Sequence, residues 1–366
     1  MNIEGKTSIV HRIRKRQLVN LLFTICLLSY CIGLMTSCSM MKEDRSDCPD
    51  CRNPLRIRLR YDYNTQRANM FADHVKQATV YVVDPETGTV VDWQTVSNTV
   101  LSSPLCNPQF SFNFEGLTPG NYRLYATGCS VAETAYQITR PEIAQPINQL
   151  QFTVPTDPCG NVPAQRLDTL WNTLNPIDVE VPESSPTEAA IGLMRLTNDL
   201  NVMVFRYDHA TDIRHEHYDV LVTDEHPVLG HDNAPASGPT PITYHPFACW
   251  TTETIADNVV VERSAHYDLS LSRLLTHEDN RHNPRLIIRN RETSHEIINI
   301  DLCHFLSLAR NAYEIQNYSG QEYLDREYDY RIDFGIDGEG PKETWKYMNI
   351  RINLLSWVLR IQNEEL

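Results

Sequence analysis

Residues 110–126 read FSFNFEGLTPGNYRLYA, and this stretch decides the fold class. Phe110, Phe112 and Phe114 alternate with Ser111 and Asn113, the period of a strand with one face in a core. Pro119 and Gly120 set a tight turn, after which Tyr122, Leu124 and Ala126 alternate inward. Two alternating runs joined by a turn read as antiparallel β-structure.

The pattern repeats on either side. In residues 55–63, LRIRLRYDY, the residues Leu55, Ile57, Leu59, Tyr61 and Tyr63 face one way. Arg56, Arg58, Arg60 and Asp62 face the other, as a solvated strand face and not a nucleic-acid arm. Residues 78–83 and 89–93 flank DPETG at 84–88 and read as a hairpin. Further strands are predicted at 200–207, 218–223, 259–263, in a hairpin over 285–300, and at 328–336. One short helix is predicted over 302–312, where Leu302, Phe305, Leu306 and Ala309 share a face. Prolines 155, 158, 163, 176, 182 and 186 mark a change of composition, which places a boundary near residue 185. The fold expected is all-β, with two antiparallel β-sandwich domains in tandem, 55–185 and 186–366, and at most one or two short helices.

Ahead of the first strand the chain reads differently. His11, Arg12, Arg14, Lys15 and Arg16 precede an uncharged apolar run, 17–35, the layout of a secretory signal. A run of about 18 apolar residues could also be retained as a membrane helix, and simple secretion is a third reading. The sequence LMTSC at 34–38 resembles a bacterial lipobox, with Met35 where Leu is usual. It points to a lipoprotein signal peptide over 1–37, cleavage between Ser37 and Cys38, and lipid attachment at Cys38. Several acyl chains at about 0.8 kcal/mol per buried CH₂ hold a protein stably on a membrane. Residues 38–54 are polar and aperiodic, and read as a tether. Within them, Lys42-Glu43-Asp44 resembles an acidic surface-export signal, and reads equally as solvated linker.

The chain holds 32 Lys+Arg and 47 Asp+Glu; removing residues 1–37, with five basic and one acidic, leaves 27 against 46, a net charge of −19. An acidic body without a basic stripe argues against nucleic acid as a partner. Seven cysteines follow Cys38, at 48, 51, 106, 129, 159, 249 and 303, so at least one is free or pairs between chains. Cys48 and Cys51 form a CxxC, but no second close pair completes a zinc site, and no strand–CxxC–helix context marks a redox pair. Among thirteen histidines, His215-Glu216-His217 would place two imidazoles on one strand face with no third ligand at readable spacing. His277 and His282 flank a loop, and His295 and His304 carry no motif. No GxSxG, P-loop or dinucleotide fingerprint is present. Of the five tryptophans, Trp93 and Trp357 fall in alternating runs and are expected in the core. No catalytic, cofactor-binding or metal site is expected, and the protein is read as not an enzyme.

Several stretches in order carry a family resemblance: SDCPDCRNPLRIRLRYDYN (46–64), FADHVKQATVYVVDPETG (71–88), FEGLTPGNYRLYATG (114–128), HYDVLVTDEHPVLGHDNAP (217–235), YDLSLSRLL (267–275), QEYLDREYDYRIDF (321–334) and WKYMNIRINLLSWVLRIQNEEL (345–366). With the lipobox before them, the chain resembles the FimB-like fimbrial anchor subunits of Bacteroidota type V pili. Cys51 lies outside that family's pattern. The resemblance implies two transthyretin-like sandwich domains and a lipid on Cys38 in the outer membrane, with the protein facing outward at the fimbrium base. It also implies a structural role in adhesion and virulence, holding the fibre and limiting its length. The implied partners are the major fimbrillin or first shaft subunit and other accessory subunits, joined by strand exchange. A surface glycan-binding β-sandwich lipoprotein is the alternative. At the C-terminus, Met348, Ile350, Ile352 and Leu354 alternate, and the parity then flips to Leu355, Trp357, Leu359 and Ile361. Such a flip requires a bulge, a bend or two strands.

Overall fold

In the computed structural model the alternation beginning at Leu55 becomes a strand in the interior of a sheet. Described are residues 54–131, 135–183, 185–210, 212–279, 281–352 and 355–362, with 352 and 355–362 described by their backbone. Cys38, the cleavage site expected before it, Cys48 and Cys51 lie outside the described residues.

The strands of the first half are β1 (Leu55–Arg60), β2 (Gln77–Val83), β3 (Val90–Ser97), β4 (Phe112–Phe114), β5 (Gly120–Cys129), β6 (Gln137–Thr139), β7 (Gln151–Thr153), β8 (Leu170–Thr173), β9 (Ile177–Val181) and β10 (Thr187–Arg195). There follow β11 (Thr197–Arg206), β12 (Tyr218–Asp224), β13 (Val228–Gly230), β14 (Ile242–Tyr244), β15 (Ala248–Ala256) and β16 (Val259–Ser272). The last are β17 (Arg285–Asn290), β18 (Glu296–Asp301), β19 (Asp329–Asp337), β20 (Thr344–Ile352) and β21 (Leu355–Gln362). The chain is all-β in class.

Four short helices are present among the described residues, against the one or two expected: α1 (Phe71–His74), α2 (Leu302–Ser307), α3 (Ala312–Asn317) and α4 (Gly320–Arg326). The predicted helix is α2, with Leu302 and Leu306 buried and Phe305 and Ala309 packed against the core. The two extra helices behind it start on side-chain caps. Asn311 and Glu314 form a reciprocal capping box, and the Ser319 hydroxyl accepts from the Glu322 N–H at 3.0 Å.

One eight-stranded sheet runs β3-β2-β5-β8-β10-β1-β4, with β9 also paired to β5. It folds over a core in which Leu55, Ile57, Phe112, Phe114 and Ile191 meet Val80, Val82, Leu124 and Ala126. The arginines of β1 are exposed, as the alternation requires. A six-stranded sheet, β15-β16-β11-β19-β20-β21, and a four-stranded sheet, β14-β12-β17-β18, contribute to a second, larger core. There Val202, Tyr267, Ile332 and Phe334 join Val220, Val222, Leu286 and Ile288. Each such side chain, fully buried, is worth about 1.5–3 kcal/mol.

Both faces of β2 and β5 are used. Val80, Val82 and Leu124 enter the first core, while Tyr81, Val83 and Tyr125 enter the second. That is why β2 reads as a continuous apolar run with no alternation. A small fourth sheet, β13-β7-β6, pairs strands from the two halves. The boundary expected near residue 185 precedes β10, which completes the first sheet by pairing parallel to β1 and antiparallel to β8. The chain passes from the first sheet to the second at Leu196, buried in the larger core. The described residues accordingly group as one unit.

A buried polar network ties β8 to the second half. The Asn172 amide donates to Asn233 Oδ1 at 2.7 Å, and Asn233 Nδ2 donates to the Thr173 carbonyl at 2.8 Å. The Asn233 carbonyl in turn accepts from Arg273, whose guanidinium makes two 2.7 Å bonds to Asp325. Asn233 has φ +66°, a left-handed conformation that Asn tolerates and most residues do not. Asn233→Gly keeps that backbone and removes both side-chain bonds. It should lower stability by about 2 kcal/mol in urea unfolding with an unchanged m-value, whereas Gly238→Ala, in open space, should stay within about 0.5 kcal/mol.

Candidate functional site

The C-terminal parity flip resolves into two strands. β20 runs antiparallel to β19, and β21 returns antiparallel along β20, with Tyr347 opposite Gln362 and Ile350 opposite Leu359. β21 is an edge of the six-stranded sheet, and β15 is the other edge. A strand edge presents unpaired N–H and C=O groups and is a template for another chain. Under β20 the sheet is fastened by Asp333, which is buried on the outer face. Its carboxylate accepts from Arg331 Nε at 2.8 Å and Asn349 Nδ2 at 3.0 Å, and pairs with Arg351. Arg331 and Arg351 keep about two-fifths of their side chains in solvent.

A polar cleft of about 420 Å³ opens where β11 and β17 end and β12 begins. Its floor is Glu343, 5% exposed, positioned by the turn after Gly338 and Gly340, both at positive φ. The Glu343 carboxylate accepts from the Tyr218 hydroxyl at 2.9 Å and Asn290 Nδ2 at 2.6 Å, with Arg206 Nη1 at 3.7 Å. Burial, and then the Glu343 charge, push the Tyr218 phenol far above its ordinary range. Arg206 donates to the Gly338 carbonyl at 2.7 Å and pairs with Asp208. The two buried charges at the floor, Glu343 and Arg206, are each answered by other protein groups. The network holds strand ends together and offers carboxylates and a guanidinium at its mouth, with no activated nucleophile.

The histidines singled out in the sequence fall in separate places. His215 and His217 lie in a single turn of 3₁₀ helix, not on a strand face, and His215 Nδ1 sits 2.9 Å from the Thr251 hydroxyl. Tight backbone curvature before β12 overrides the alternation there. His295 bonds the Glu343 carbonyl, and the His304 N–H is bound by the Asp301 cap. His277 approaches His282 and also meets His226, which carried no signal in the sequence. Among the described residues no group of three or more His, Cys, Asp or Glu is arranged to hold a metal ion. No helix among them is long and apolar enough to cross a membrane.

Trp93 is 43% exposed, against the expectation of a core position, because β3 is an edge strand and its outward residues lie beyond the core. Trp357 lies in β21, whose side chains are outside the described residues. Trp250 is 37% exposed and stacks on His266 with ring centroids 5.0 Å apart and planes 4° from parallel. Cys106, Cys159 and Cys249 are exposed free thiols, and Cys129 and Cys303 are buried ones.

The family model for fimbrillin-A associated anchor proteins Mfa1 and Mfa2 matches residues 45–363. No curated protein is matched by the sequence. A candidate adhesin of Bacteroides thetaiotaomicron is 26% identical with a TM-score of 0.69, over 86% of this chain and 100% of that one. A candidate polysaccharide-binding protein of the same species is 24% identical with a TM-score of 0.68, over 85% and 98%. The fimbrial anchor protein Mfa2 of Porphyromonas gingivalis shares the fold at 14% identity, with a TM-score of 0.61 over 86% and 100%.

Removing the floor of the cleft should be costly. Glu343→Ala leaves the Tyr218 hydroxyl and Asn290 amide without their acceptor and removes one of the carboxylates beside Arg206; it should destabilise by about 2–4 kcal/mol in urea unfolding, with Glu343→Gln costing visibly less.

Proposed function

The chain belongs to the family of fimbrillin-A associated anchor proteins Mfa1 and Mfa2, and from that membership we propose that it is a lipoprotein holding a fimbria at the outer membrane. The observation that carries this reading is the reach of the family match, which begins just after the lipobox and runs to the end of β21. In this reading the chain is cut between Ser37 and Cys38 and acylated on Cys38. Residues 38–54 are the tether, and the folded body faces the cell exterior at the fimbrium base. Its partners are the major fimbrillin or first shaft subunit and other accessory subunits, and its occupancy of the base limits fibre length. The role is structural, not enzymatic. We read the two sandwich-like halves as transthyretin-like and place their boundary at Leu196 in preference to residue 185.

The fold suits a tethered load. The tether enters at Leu55, and β1 is flanked on both sides, parallel by β10 and antiparallel by β4. Tension along β1 loads those pairings together instead of opening them one at a time. The edge strand β21 is the segment suited to meet the next subunit by main-chain pairing.

A glycan-binding reading has one observation of its own. The Trp250–His266 stack sits on an open sheet face, and a similar structure is described as a candidate polysaccharide-binding protein. It requires saturable polysaccharide binding that Trp250→Ala abolishes, and absence of such binding removes it.

Two cell experiments test the anchor. Cys38→Ala should release most fibres into the medium, measured by immunoblot of cell and supernatant fractions; fibres still held at the cell would contradict anchoring. Deleting residues 355–366 should also loosen fibres if β21 pairs with the shaft. Full retention by a stably produced protein would show that β21 only closes its own sheet.

A further inference from the structure

Three histidines from two loops meet at one corner of the second half. His226 follows β12, and His277 and His282 bound the loop before β17. His226 Nε2 and His277 Nε2 are 3.1 Å apart, with ring centroids at 4.9 Å. The His282 ring centroid is 5.9 Å from that of His277. The His282 Nδ1 is 2.6 Å from a carboxylate oxygen of Glu225, the immediate neighbour of His226.

His226 is the anomaly. It is 7% exposed, and its Nδ1 has no hydrogen-bond partner. Its Nε2 meets another imidazole and its Nδ1 has no partner among the described residues, and a buried polar group so poorly satisfied calls for an explanation. Hydrogen bonding accounts for one of its two nitrogens at most. A shared ion accounts for the approach of the two Nε2 atoms. At a Zn–N distance of about 2.0 Å, two imidazole nitrogens of a tetrahedral site stand about 3.3 Å apart.

As they stand the three histidines do not close a ligand set; we propose that this corner binds a divalent transition-metal ion of the zinc type through His226 Nε2 and His277 Nε2, and that His282 turns in as third ligand when the ion binds. Glu225 supports that third ligand. By accepting from His282 Nδ1–H it leaves Nε2 with the free lone pair, the carboxylate–histidine pairing that orients metal-bound imidazoles. The loop is pre-set for the role, because the His277 N–H is held by Asn283 Oδ1 at 2.7 Å and Asn283 is anchored to Asp301. The ion would clip the loop at 277–282 to the turn after β12, bridging chain segments 51 residues apart. Nothing in this inference depends on the anchor reading.

The test is calorimetric titration of the mature chain with zinc chloride, in a Cys48→Ser, Cys51→Ser background so that those thiols do not compete. One ion per chain should bind. His277→Gln, at a half-exposed position where a polar side chain can still face His226, should weaken binding at least tenfold. Glu225→Gln, which touches no metal, should weaken it by about tenfold. Cobalt bound in place of zinc should show visible bands of nitrogen and oxygen ligation without thiolate charge transfer. No zinc binding by the parent chain would overturn the proposal, as would binding that both substitutions leave unchanged.

Discussion

Strands β2 and β5 feed two cores at once, and the rest of the fold depends on it. Val80, Val82 and Leu124 fill one side, and Tyr81, Val83 and Tyr125 fill the other. A sheet buried on both faces cannot be separated from either layer without exposing large apolar side chains, each worth about 1.5–3 kcal/mol. The second core therefore draws Phe152, Val154 and Leu170 from the first half of the chain. The Asn172–Asn233 network and the buried Arg273–Asp325 pair then fix how the halves meet, since polar groups this buried require their partners in place. The all-β class expected from sequence is present, with sandwich-like sheets, and the two halves of the chain share core and polar ties.

What was legible in sequence follows burial. β1, β4, β12 and β19 each show one buried face against a more exposed one over much of their length, so their alternation could be read directly. β10 could not be read this way. Its segment TEAAIGLMR is half-exposed at one end and buried through at the other, and Glu, Ala and Gly are poor strand formers. The short strand β13 pairs with β7 across the two halves, a cause that no local pattern records. The helices α3 and α4 did leave signals, Asn-x-x-Glu and Ser-x-x-Glu, which the strong strand pattern around them obscured. Trp93 shows the converse error: its alternation was right, but an edge strand does not carry both faces into a core.

The candidate sites divide along the same line. Cys38 rests on sequence alone, through the lipobox and the charge pattern ahead of it. The C-terminal hairpin was legible in part, because a parity flip inside an apolar run needs a change of strand, and β20 and β21 supply it. The meeting of His226, His277 and His282 was not legible, because tertiary packing joins segments 51 positions apart. The Glu343 cleft is likewise made by the ends of strands distant in sequence.

The central claim is that a lipid on Cys38 ties this body to the membrane. The most direct measurement is mass spectrometry of the N-terminal peptide from detergent-extracted protein. The account predicts a peptide that begins at Cys38 and carries a thioether-linked diacylglycerol with an added acyl chain. A peptide that retains residues before Cys38, or one that begins elsewhere with Cys38 unmodified, would contradict it.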